Sequence, residues 1–98
     1  MADILEWLIK WFDTNCDGEW ERENQIQIHT VGNPGWYIKI DLRDTPLEDR
    51  IIDSGLIEQS DHDWYFYRIK DTEFQASGDN SKLIFLLSKF REIAEAKS

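Results

Sequence analysis

One cysteine, Cys16, stands among 98 residues, so no disulfide can close within the chain and a reducing compartment fits. Basic residues are scarce as well, with eleven Lys and Arg against twenty Asp and Glu and a net charge of −9. Phosphate binding needs a basic face, so nucleic acid and anionic membrane are poor partners, and a basic protein is the natural complement. No run approaches the roughly 20 apolar residues of a membrane span. The opening "MADILEWLIKWFD" carries acids where a secretion signal needs bases. These features predict one soluble cytoplasmic domain over residues 1–98, without linker, repeat or low-complexity tract.

Catalytic frameworks are missing too. His29 and His62 lie 33 residues apart with no partner at ligand spacing, which leaves a zinc site without a frame. There is no glycine-rich phosphate loop and no G-x-S-x-G elbow. Twenty acids guarantee carboxylate pairs by number alone, so pairs do not indicate glycosidase-like chemistry. The expectation is a protein that is not an enzyme and carries no cofactor.

What is present begins with apolar pattern. A hydrophobic fraction of 41 % and thirteen aromatic residues predict a folded core. Residues 3–13 have helical period, with Ile4, Leu5, Leu8, Trp11 and Phe12 on one stripe and Trp7 and Ile9 beside it. Residues 25–31 alternate, with Ile26, Ile28 and Thr30 on one face. "WYIKIDL" alternates again through Trp36, Ile38, Ile40 and Leu42. Between them "GNPG" predicts a type II turn with positive φ at Gly35, a hairpin with one wet face, and Trp36 buried beneath it. "RIIDSGLIEQ" reads as a strand interrupted at Gly55 or an irregular segment. "DWYFYRIKD" and "TEFQAS" read as further strands. A helix over Ser81–Lys97, capped by Asn80 or Ser81, presents Leu83, Leu86, Leu87, Phe90, Ile93 and Ala94 to a core and turns Phe85 aside. The predicted fold class is α+β: a meandering antiparallel sheet of about four or five strands, with N-terminal and C-terminal helices on one face.

Two segments concentrate the acid, 1–24 at −5 and 41–63 at −6, while the remaining stretches are each +1. Asp13-Thr14-Asn15-Cys16-Asp17-Gly18 resembles the start of an EF-hand loop, with oxygens at positions one, three and five and glycine at six. Position twelve is Asn24 rather than glutamate, and a strand follows where a helix is required. A calcium-binding interaction module using Asp13, Asn15 and Asp17 is therefore the alternative, and an acidic helix-to-strand connection the simpler reading. Trp20, set among Glu19, Glu21 and Glu23, reads either as a cap on the core edge or as an interface anchor, because tryptophan and tyrosine dominate hot spots. In "WYFYR", Tyr65 and Tyr67 must share one face and Trp64 and Phe66 the other.

Read together, "CDGEWE" and "NPGWYIKIDLRDT" resemble the immunity protein 53 family of bacterial polymorphic toxin systems. The resemblance is carried by Cys16, Asp17, Gly18, Trp20 and Glu21, by Asn33 to Trp36, and by Ile40, Asp41, Leu42 and Thr45. Asp63-Trp64, Phe74 and the final helix extend it over most of the chain. Arg22 stands where histidine is expected and Gly32 where aspartate is. The resemblance implies a small inhibitor of a cognate toxin, acting by stoichiometric binding. With the charge pattern it nominates Asp17, Glu19, Trp20, Glu21, Glu23, Asp61, Asp63, Tyr65 and Tyr67 as partner-binding residues, with no metal ligand.

Overall fold

Alternating apolar residues build the centre of the molecule. The computed structural model describes residues 3–96. Its elements are α1 (Asp3–Asn15), α2 (Trp20–Glu23), β1 (Ile26–Val31), β2 (Gly35–Asp41), β3 (Ile52–Asp53), β4 (Ile57–Ser60), β5 (Asp63–Lys70), β6 (Glu73–Gly78) and α3 (Leu83–Glu95). The sheet has six antiparallel strands in the order β1-β2-β6-β5-β3, with β4 also on β5. Among the described residues no helix is long and apolar enough to cross a membrane. Lys97, the expected end of the last helix, lies outside the described residues.

The register aligns Ile38, Ala76 and Tyr67 in one row across β2, β6 and β5, and Ile40, Phe74 and Ile69 in the next. These rows form the inner face, on which α1 and α3 pack to enclose Ile4, Leu8, Ile38, Ile40, Leu42, Leu47, Ile69, Phe74, Leu86, Leu87 and Phe90. Phe90 sits at the centre, its ring 4.9 Å from Phe74, 5.0 Å from Trp11 and 5.8 Å from Trp7. The buried arc of α1 is rotated from the expected stripe. Trp7 packs inward against α3 whereas Leu5 is 56 % exposed, because α3 lies beside α1 as well as on the sheet.

β6, read from sequence as a short strand, is central. On its helix side the small residues Ala76 and Gly78 let the chain leading into α3 approach: a Cβ on Gly78 would stand 2.7 Å from Lys82 Cβ. The chain reaches β3 only after residues 43–51 cross the end of the sheet, burying Thr45 and Leu47. The expected interruption at Gly55 is there, between β3 and β4, with φ of +69°.

The hairpin turn differs from expectation. The Asn33–Pro34 peptide is cis, and Gly35 does not take a positive φ. Val31 pairs with Gly35, so Pro34 closes a three-residue loop and Gly35 is already strand. Trp36 is half-buried rather than buried, with its indole N–H donating to Asn80 O at 3.1 Å. Gly35 is needed for closeness, since a Cβ there would run into the Gly78 carbonyl oxygen. Gly35→Ala should therefore part β2 from β6 at this end and cost about 1–3 kcal/mol, as overpacking does. Urea unfolding checks this, and an unchanged midpoint would refute the steric account.

The last helix also starts later than expected. Lys82 occupies the N-cap without a side-chain cap bond, and neither Asn80 nor Ser81 caps. Asp79 instead fixes the turn that leads into the helix, its carboxylate accepting from Ser81 N and Ser81 Oγ at 2.8 and 2.6 Å.

Candidate functional site

The acidic connection after α1 is a reciprocal hydrogen-bonded turn. Gly18 takes φ of +95°, which reverses the chain without the penalty a side chain would incur. Asp17 Oδ1 accepts from the backbone N–H groups of Glu19 (2.9 Å) and Trp20 (2.8 Å). Glu21 reaches back to accept from the N–H groups of Asp17 (3.0 Å) and Gly18 (2.9 Å). These bonds to Trp20 and Glu19 hold the Asp17 carboxyl below its ordinary value. The Cys16 thiol donates to Phe12 O, and burial together with Glu21, Asp13 and Asp17 pushes its pKa up, away from nucleophile chemistry.

That geometry gives the EF-hand-like residues other tasks. Asp13 and Asn15 lie within α1, and the Asn15 amide donates to Trp11 O at 2.9 Å. Asp17 is engaged with backbone. Among the described residues no group of three or more His, Cys, Asp or Glu side chains is placed to hold a metal ion.

Trp20 belongs to the core edge. It is 6 % exposed, stacks edge-on with Trp11 and Phe12, and its indole N–H donates to Arg43 O at 2.6 Å. The indole surface is thus used within the chain, and its role as an anchor for a partner gives way to a structural one. The same bond ties the first acidic segment to the start of the second. Asp17, Glu19, Glu23 and Asp44 line one cleft of about 370 Å³ together with Arg22. Glu23 also borders a neighbouring cleft of about 410 Å³ with Asp41, Asp71 and Glu73, where Lys39 and Arg43 supply the only bases of the lining. Asp44, Asp71 and Glu73 were not singled out from sequence. The strand register sets Glu73 beside Asp41, and the connections after β2 and β5 bring Asp44 and Asp71 to the same end.

Asp61 and Asp63 do not join this cluster. They lie where β5 begins, beside the β1–β2 turn, whereas Glu23 lies by the start of β1, at the opposite end of the strands. The second acidic segment is split because its chain traverses the sheet. Asp63 also pairs with Lys82 Nζ at 2.8 Å.

Tyr65 and Tyr67 face the helices. Their rings are parallel 6.2 Å apart, and Tyr65 meets Phe85 at 4.7 Å, so both pack against the core cluster. The aromatic side chains on the open face are instead Trp64, Phe66, Tyr37 and His29, the last two with rings 5.2 Å apart. Alternation along β5 required one pair to be outside, but the sequence does not say which.

A family model described as Immunity protein 53 matches residues 5–95 of the chain. No match was found among curated proteins or among solved structures.

Proposed function

The chain belongs to the immunity protein 53 family, and from that membership we propose that it binds a cognate toxin domain in the cytoplasm and neutralises it by stoichiometric occlusion, without catalysis. The observation that carries the choice of surface is the acid-lined pair of clefts meeting at Glu23. A basic toxin surface is its electrostatic complement, and covering that surface denies an anionic substrate its site. Glu19 and Glu23 are the contact candidates in the connection, being exposed. Asp17 and Glu21 support them by fixing the turn, and Trp20 by anchoring it to Arg43. Arg22, a departure from the family pattern, lines the same cleft and is placed to tune which toxin is accepted. Asp61 and Asp63 contribute to steering from the far end.

Long-range charge mainly accelerates encounter. Reversing Glu19 and Glu23 to lysine should lower the association rate for the cognate toxin domain by about tenfold or more at low salt and flatten its salt dependence. Stopped-flow or surface-based kinetics across ionic strength test this. An association rate indifferent to both salt and these reversals would move the interface off the acidic end. The reading as a whole fails if the purified pair does not associate.

A further inference from the structure

β1 is an edge strand, paired with β2 on one side only. Natural sheets guard such edges with charge, proline, bulges or brevity. The opposite side is guarded in this way, since β3 has two residues and carries Asp53, while β4 is four residues long with a register shift. β1 is six residues long, "IQIHTV", and contains no charged residue in a chain that is 32 % charged. Asp41 N donates to Gln25 O, so the alternation of an antiparallel ladder bonds Gln27, His29 and Val31 to β2. The N–H groups of Ile28 and Thr30 therefore point away from the sheet.

Beside this edge runs an apolar groove of about 370 Å³, where Ile9 and Phe12 of α1 face Ile26. Ile9 is 67 % exposed, Leu5 on the same helical stripe 56 %, and Ile28 37 %. Glu21 lines the groove, and the next residues round the helix from the stripe are the exposed acids Asp13 and Glu6. The pattern is a pairing edge, an apolar wall and an acidic rim.

We propose that this edge and groove receive an extended segment of the toxin partner, which adds as a strand to β1, turns apolar side chains toward Leu5, Ile9 and Ile28, and carries Lys or Arg toward Glu6, Asp13 and Glu21. Strand addition takes affinity from main-chain bonds and specificity from alternate side chains. A second copy of the chain is the poorer occupant, because it would bring another −9 of charge and the same acidic rim. The assignment rests on the toxin-binding reading and deepens it by naming how the partner is held.

Hydrogen exchange on the full chain, alone and with the cognate toxin domain, tests the strand directly. The amides of Ile28 and Thr30 should slow at least tenfold in the complex. Ile9→Lys, at an exposed position, should weaken binding at least tenfold while the melting temperature holds. If the wild type binds but neither amide slows and Ile9→Lys binds equally well, this inference fails and toxin binding stands. If the wild type does not bind, both fail. A concentration-dependent dimer of the free chain that Ile9→Lys abolishes would give the groove to a second copy and overturn the proposal.

Discussion

Phe90→Ala should destabilise the protein by about 3–5 kcal/mol, the range for a central phenylalanine. Phe90 is fully buried and is the point where Trp7, Trp11 and Phe74 meet, so its removal leaves a void bounded by rigid rings from α1 and β6 that cannot close inward. Phe85 is the internal comparison. It stands five residues earlier, about 140° away round the helix, half-buried, with Tyr65 edge-on to its ring and Lys89 Nζ 5.3 Å from its centroid. Phe85→Ala should cost clearly less, roughly 1–2 kcal/mol, because much of its area is already in water. Chemical unfolding of both variants against the wild type measures the pair. Equal losses would mean that the helix is rotated from the phase described.

The same helical arithmetic shows why parts of this fold were legible. In α3 the stripe of Leu86, Leu87 and Phe90 is fully buried between the sheet and α1, so helical periodicity alone identifies it. In α1 the buried arc is shared between the sheet and α3, so Trp7 is drawn inward and Leu5 is left outside, which no single-helix pattern contains. The central position of β6 was equally hidden. Strand order depends on where residues 43–51 travel, and nothing in their composition encodes a crossing.

The candidate site divides along a similar line. Every resembling residue of the "CDGEWE" and "IDL" motifs has a structural task in the fold: Asp17 and Glu21 close the turn, Trp20 bonds Arg43 O, and Asp41 Oδ2 accepts from Gln25 N at 2.9 Å. Thr45 closes the next turn on Leu42 O at 2.7 Å. A motif that specifies the scaffold reveals the family but not the contact residues. The contact surface proposed above rests instead on acids the scaffold gathers, such as Glu19, Glu23 and Asp44, and their gathering is a tertiary fact. The neutrality of "IQIHTV" was visible from the start, yet it has meaning only once β1 is known to be an edge.

Replacing Asp79 by alanine should have a comparable effect on stability, about 3–5 kcal/mol, as expected when one member of a buried ion pair is removed. Asp79 is 4 % exposed. Its carboxylate accepts from Lys82 Nζ (2.8 Å), Ser81 N (2.8 Å), Ser81 Oγ (2.6 Å) and Trp64 N (2.9 Å), binding the start of β5 to the start of α3. Burial by itself would raise this carboxyl, but the bonds from Lys82, Ser81 and the Trp64 backbone outweigh it and hold the group well below the usual carboxylate range. Lys82, whose pKa is raised by Asp63 and then by Asp79, would keep only its exposed partner. Because the folded-state pKa of Asp79 is depressed, its stabilisation is fully present above the unfolded carboxylate value of about 3.9 and is lost as pH falls toward the folded one. The stability gap between wild type and Asp79→Asn, which keeps the shape and removes the charge, should therefore be constant from pH 7 to pH 5 and shrink steadily below pH 4. Denaturant titrations at a series of pH values measure that gap; no gap at neutral pH would show that the aspartate acts through its shape alone, and a gap that does not narrow in acid would rule out its ionisation as the source.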